Sequence, residues 1–263
     1  MEKNRKYLIH PSAILDPGVE MGEGVTIGPY VTIGKNVHIG NNTQIDAHTV
    51  IYEHTTIGAN CHIYPNTVIG TPPQDIAFGG ELSHVVIGDN TVIREFVNIN
   101  RGSKKVKCIT SIGSNCFIMA YVHIAHDCQI GNNVIMANAA TLAGHIIIED
   151  FAILGGLTAV HQFVRIGKYA FIGGCSGIPK DIPPFSKSSG NRVKLYGINT
   201  VGLKRHGFSN DAISKLKQAY KILLRSHLNT TQALEVITQQ IKDSPEVEYL
   251  VSFIRDSERG ICK

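Results

Sequence analysis

Four histidines, His123, His126, His145 and His161, carry the most chemistry in this chain. His126 and Gly144 stand 18 residues apart, and His145 follows directly. Asp127 sits beside His126 and Gln162 beside His161. Imidazole titrates near neutrality, so such a group suits either of two tasks: taking a proton as a general base, or binding zinc. In the first, the neutral ring takes the proton of the attacking group. In the second, three neutral imidazoles leave one coordination position open for an activated water. A single outward histidine is most simply a solvated side chain. Four on successive coils, with an acid and an amide beside them, call for a site.

An aliphatic residue returns at every sixth position from Ile9 to Ile178, in runs such as Ile27, Ile33, Ile39, Ile45, Ile51 and Ile112, Ile118, Ile124, Ile130, Met136, Leu142. That period fits neither the 3.6 of a helix nor the alternation of a hairpin sheet. It is the hexapeptide repeat of a parallel β-helix. Two residues earlier the side chain is small or β-branched, as at Val37, Thr43, Thr49, Cys61, Cys116, Val122 and Ala140. Residues two apart on a strand share a face, so both positions of each hexad point inward. Six residues make one flat side and three sides close a coil of 18, the interval that brings His126 level with Gly144. Eight or nine coils at about 4.8 Å each give a prism on the order of 40 Å long.

The period breaks twice. Thr71 to Gly80 holds two prolines and paired glycines, and reads as an external loop. Asn100 to Lys107 is a shorter, basic excursion, placed there either for function or as an inert insertion. After Ile178 the repeat ends, with Pro183-Pro184 behind it. Ser209-Asn210-Asp211 then predicts a helix start, Thr230 to Lys242 offers apolar residues on one side, and Ser244-Pro245-Glu246 starts a later helix. The expected organisation is a mainly β chain: a parallel β-helix over residues 7–182, then a connecting segment and a small α-helical C-terminal domain over 183–263.

The 263 residues carry a formal charge of +4, too mild to indicate nucleic-acid binding but compatible with anionic small substrates or an acidic protein partner. The basic start of the chain lacks an apolar stretch of signal-peptide length and nothing later approaches a membrane span, so a cytoplasmic protein is expected. Cys61, Cys116 and Cys128 fall in the small inward phase and no CxxC occurs, which predicts core packing over disulfides or a metal site.

The run His123-Ile124-Ala125-His126-Asp127-Cys128, followed by Leu142-Ala143-Gly144-His145 and Val160-His161-Gln162-Phe163, resembles the acyl-carrier-protein:UDP-N-acetylglucosamine O-acyltransferases of lipid A biosynthesis. Pro73-Gln74-Asp75, Asp181-Ile182-Pro183-Pro184, Gly190-Asn191, Gly197-Ile198-Asn199 and Gly202-Leu203-Lys204-Arg205 carry the same likeness, which extends over essentially the whole chain. The resemblance implies a homotrimer of left-handed β-helices with the active site between subunits, and no cofactor or metal. It implies that His126 is the general base toward the sugar 3-hydroxyl, that Asp127 orients it, and that the Gly144 N–H faces the oxyanion. Gln74, Asp75, His123, His145, His161 and Gln162 would hold the sugar and acyl groups, Asn199 and Arg205 the nucleotide diphosphate. Gly174 would leave the groove open for a 3-hydroxyacyl chain, and Arg192 would stand near its end. The donor would be an acyl carrier protein thioester and the acceptor UDP-N-acetylglucosamine.

Some positions depart from that pattern. Ala77, Val201 and His206 stand where many relatives have Lys, an acid and Arg, and Arg192 where some have His. The same base could serve the 3-amino analogue of the sugar, making an amide. A zinc hydratase of the carbonic anhydrase type is the rival from another enzyme class, set against it by the helical C-terminal domain and the Gly-Leu-Lys-Arg segment. A non-catalytic scaffold leaves the histidines unexplained.

Overall fold

The six-residue period becomes a wall-by-wall winding of the backbone. A computed structural model describes residues 7–103, 108–226 and 228–263. The basic N-terminal residues 1–6 and the Lys104 to Lys107 part of the second excursion lie outside the described residues. Among the described residues, three sheets of 11, nine and eight strands form the walls of a left-handed parallel β-helix. Left-handed coiling reverses the usual preference of parallel crossovers.

Registers are what stacking coils of 18 require: His123 lies beside Thr141, and Thr141 beside Ala159. From Ile27 onward the aliphatic of each hexad is buried, while Leu15 and Met21 in the first coils are only partly so. The small residues two positions earlier are buried too. Thr43, Thr67 and Thr91 donate their hydroxyls to Gly58, Arg94 and Gly113 carbonyls of neighbouring coils. Cys61, Cys116 and Cys128 are free thiols in this column. Burial pushes Cys116 up to about 11 and Cys128 up to about 12, so both remain inert thiols at neutral pH.

At the corners the chain turns through the left-handed region with non-glycine residues, including Asn42, Asn60, Asn90, Asp127, His145 and Phe163. Asparagine tolerates that conformation best, and Asn42, Asn60 and Asn90 bond side chain to side chain up one edge.

The first wall runs past residue 182. Ser186–Ser189 adds to it in parallel, and Lys194–Ile198 pairs antiparallel with Ser186–Ser189. Four helices follow among the described residues: α1 (Thr200–Arg205), α2 (Asn210–Arg225), α3 (Thr230–Gln240) and α4 (Pro245–Arg255). Ser209, Asn229 and Ser244 cap α2, α3 and α4, as the sequence signals anticipate for the first and last. Ile213, Leu216, Tyr220 and Leu223 of α2 join Ile237, Leu250 and Phe253 in a second core. This layer is tied to the solenoid by the Tyr220 hydroxyl, 2.6 Å from the Pro184 carbonyl it donates to. Buried Asp181 accepts from the Arg165 N–H and the Ser257 hydroxyl.

Candidate active site

One edge of the prism gathers most of the candidates. The strands Val68–Thr71, Asn98–Asn100, His123–Ile124, Thr141–Leu142 and Ala159–Val160 are consecutive neighbours in the second wall. What leaves the C-terminal end of each is, in order, the Gln74-Asp75 loop, Arg101-Gly102-Ser103, His126-Asp127, Gly144-His145 and His161-Gln162. Residues almost 90 apart in the chain therefore share a corner because the coils stack.

At the centre, His126 Nδ1 lies 2.8 Å from Asp127 Oδ2. Asp127 is 4% exposed and is held on every side. Its Oδ1 accepts the Ser103 N–H at 2.9 Å, its Oδ2 accepts the Ser103 hydroxyl at 2.6 Å, and its own N–H donates to Thr110 Oγ1. An ionised carboxylate only accepts, so the proton between His126 and Asp127 sits on Nδ1 and Nε2 is left with its lone pair. That is the tautomer a general base needs.

His145 stands edge-on to His126 with ring centroids 5.1 Å apart, and its Nε2 is 3.7 Å from Asp127 Oδ2. Phe163, one coil further, stacks flat on His145 at 4.7 Å and fixes that ring. Gly144 lies against the His126 ring: a Cβ there would stand 2.6 Å from Cε1 and 2.8 Å from Nε2. Only glycine lets imidazole and backbone share this corner.

His123, half-buried on the wall, has Nδ1 2.9 Å from Asn98 Oδ1. Burial holds its pKa below the ordinary histidine range. Gln74 is exposed, and Asp75 is half-buried with a carboxylate oxygen accepting the Ala77 N–H at 2.9 Å. This loop rests on Arg101, which pairs with Glu53 at 2.6 Å and lies over the Phe78 ring. That guanidinium holds the Glu53 carboxyl below its usual range. His161 and Gln162 are exposed, with His161 Nδ1 donating to the Gln162 carbonyl.

Asn199 and Arg205 lie apart from this edge, beyond the last strand of the first wall. Asn199 caps α1: its Oδ1 accepts the Gly202 N–H and its Nδ2 donates to the Tyr169 carbonyl, both at 3.1 Å. It lines a groove of about 380 Å³ together with Arg205, Val201, Ile153, Phe171 and Lys187. Gly174 and Arg192 are exposed: Gly174 lies at the corner between Phe171–Ile172 of the first wall and Gly177–Ile178 of the second, and Arg192 in the turn after Ser186–Ser189, whose flanking residues Gly190 and Val193 bond to the Gly177 backbone. Two loci on two walls of one chain thus hold the proposed base and the proposed nucleotide contacts.

Ser103, Thr110 and Phe163 are the functional neighbours that sequence reading misses. Ser103 gives no periodic signal, because it sits in the break. Gly102 is its local cause: a Cβ there would be 2.1 Å from the Ile109 nitrogen, so only glycine lets the excursion return on itself.

His126, Asp127 and His145 offer ligand atoms within 4.8 Å of one another, a spacing a cation could use. Both Asp127 oxygens, however, already accept from Ser103 and His126, and the donor set has two imidazoles rather than three. Its chemistry suits a charge-supported base better than a zinc hydratase.

Residues 36–71 and 109–144 match the bacterial transferase hexapeptide family. A hexapeptide-repeat solenoid with an imidazole–carboxylate corner defines a transferase of that class. Residues 181–262 match the family described as UDP N-acetylglucosamine O-acyltransferase, domain 2. The chain is 50% identical to the acyl-[acyl-carrier-protein]–UDP-N-acetylglucosamine O-acyltransferase of Syntrophobacter fumaroxidans, over 97% of this chain and 99% of the relative. It superposes with a TM-score of 0.94 on the UDP-N-acetylglucosamine acyltransferases of Francisella novicida (41% identity; 97% and 94% of the two chains covered) and Bacteroides fragilis (43%; 97% and 100%). The chain belongs to the acyl-[acyl-carrier-protein]–UDP-N-acetylglucosamine O-acyltransferase family.

Proposed function

We propose that this enzyme moves a 3-hydroxyacyl group from an acyl carrier protein thioester to the 3-hydroxyl of UDP-N-acetylglucosamine, the first step of lipid A biosynthesis, with His126 as general base. The observation that carries the roles is the 2.8 Å contact of His126 Nδ1 with buried Asp127, which leaves Nε2 as the acceptor. Nε2 removes the hydroxyl proton as the sugar oxygen attacks the thioester carbonyl. Asp127 stabilises the imidazolium. The Gly144 N–H faces the oxyanion that forms. Collapse of the tetrahedral adduct expels the carrier thiolate, which takes the proton back from His126.

Asp75, His123, His145, His161 and Gln162 hold the sugar and the acyl chain, with Gln74 in the same loop as Asp75. Asn199 and Arg205 take the nucleotide and its diphosphate. Because these two contacts and His126 belong to different walls, a homotrimer with sites between neighbouring chains is the assembly that unites them. Exposed Ile76, at the tip of the Asp75 loop, suits contact with a neighbour. Among the described residues no helix is long and apolar enough to cross a membrane, and we place the enzyme in the cytoplasm, where a carrier-bound acyl donor is made.

The test is direct: purified protein, analysed for metal, is given acyl carrier protein thioesters of graded length with UDP-N-acetylglucosamine or its 3-amino analogue. Ester formation without metal dependence supports the proposal. Exclusive use of the amine would move the acceptor, and stoichiometric zinc with carbon dioxide hydration would replace the reaction. Mixing His126→Ala with Asp75→Ala chains should restore activity if sites are shared; mixed trimers as inactive as their parents would refute sharing.

A further inference from the structure

The first-wall groove holds two cations, Lys187 and Arg205, and among the described residues that line it none is acidic. Lys187 comes from the strand Ser186–Ser189, where it points outward between buried Ser186 and Ser188. In the sheet it lies between Phe171 on one side and Gly197 on the other. Gly197 has no side chain to cover the lysine stem. Arg205 comes from the far end of α1, so the two charges approach the groove from separate elements. Among the described residues neither takes part in an ion pair within the chain.

Two like charges facing one groove without a carboxylate repel each other, and an anion that bridges them removes the repulsion. Two neighbouring basic groups stand outside the groove: His206 packs edge-on against Phe151 at 4.9 Å and Tyr169 at 5.3 Å, and neither it nor Lys204 in the last turn of α1 lines the groove. Ile153, Phe171 and Val201 provide an apolar surface beside the two cations. A charge pair next to a flat apolar patch matches a nucleoside diphosphate, with a ring on the patch and phosphates between the cations. The guanidinium can grip one phosphate through two N–H groups, while the ammonium on its longer stem reaches the other as a compact charge.

We propose that Lys187 is a nucleotide-binding residue that, with Arg205, clamps the diphosphate of the sugar nucleotide. This rests on the acceptor named under Proposed function. Lys187 is exposed, and among the described residues its side chain makes no hydrogen bond or ion pair, so Lys187→Gln and Lys187→Arg should fold; melting temperature checks that they do.

Steady-state kinetics with UDP-N-acetylglucosamine, and inhibition by UDP, UMP and uridine, give the readout. For Lys187→Gln the KM of the sugar nucleotide and the Ki of UDP should rise about tenfold, equivalent to about 1.4 kcal/mol. The Ki of uridine, the KM of the acyl thioester and kcat at saturation should hold, Lys187→Arg should keep most of the affinity, and the defect should shrink as salt screens the charge. If the unaltered enzyme acylates the sugar nucleotide but Lys187→Gln leaves UDP inhibition unchanged, the Lys187 assignment is overturned while the reaction stands. If UDP and uridine weaken alike, the lysine acts on groove shape rather than phosphate, and the assignment is likewise overturned. Failure of the unaltered enzyme to use the sugar nucleotide overturns both.

Discussion

Replacing Gly144 by alanine tests whether the position of the His126 ring matters. The new methyl would begin 2.6 Å from Cε1, 2.8 Å from Nε2 and 3.2 Å from Nδ1. Carbon atoms in comfortable contact are about 3.5 to 4.0 Å apart, so the imidazole must retreat by about 1 Å. His126 is held at 2.8 Å from an Asp127 that cannot follow, because Ser103 pins both of its oxygens. The ring can retreat only by lengthening that bond or by tilting Nε2 away from the sugar. A displacement of this size costs about 10² in turnover, while the overpacking costs about 1–3 kcal/mol in stability. The assay is kcat at saturating UDP-N-acetylglucosamine and acyl thioester, with a melting curve on the same sample. Gly156→Ala is the control, since its methyl would meet the Asn138 carbonyl at 3.1 Å and lies at another corner. The expected result is a large loss of kcat at Gly144, with KM for the sugar nucleotide little changed and the fold intact. A Gly144→Ala enzyme with near-normal kcat would refute the idea that backbone and imidazole are fitted to each other.

Ser103→Ala removes the hydroxyl donor 2.6 Å from Asp127 but keeps the backbone N–H, so turnover should fall by roughly tenfold, less than for Asp127→Asn; equal or greater loss would show that Ser103 does more than hold the acid. His123 has a lowered pKa in the fold, so the unfolded chain binds the extra proton first as pH drops. Stability should therefore be full above about pH 6.5 and decline as pH falls through that value toward the depressed folded pKa, a slope that His123→Asn should reduce in pH-dependent denaturant titrations. Arg192→Ala should shift preference toward an acyl chain about two carbons longer, worth about 1.6 kcal/mol or roughly fifteen-fold between lengths, as read from rates across a thioester ladder. An unchanged length profile would remove Arg192 from the acyl groove.

The winding was legible because the core repeats one decision: Ile27, Ile33 and Ile39 each need the same inward face, and any slip would expose them. Ser209 and Ser244 announced their helices through side chains that bond the first-turn N–H groups. His126, Asp127 and Gly144 could be brought together from the 18-residue coil alone. Ser103 could not, because its approach to Asp127 depends on the path of a break that follows no period, and on Gly102 allowing close return. The strands Ser186–Ser189 and Lys194–Ile198 were hidden for a related reason. They pair antiparallel across a turn, after the hexad signal has ended. The short helix α1 carries no helical signal in the sequence, where only the resemblance marks Asn199 and Arg205; Asn199 caps this helix as well as lining the groove.

The pH dependence and size of the loss on changing His126 test the account most directly. With trimer and melting temperature unchanged, His126→Ala should lose about 10² to 10⁴ in kcat. The fall of activity on the acid side of the pH profile, which comes from a base that must be neutral to act, should vanish from what remains, while UDP still binds. Near-normal turnover in that variant, on the same pH profile as the unaltered enzyme, would contradict the proposed base and the corner built around it.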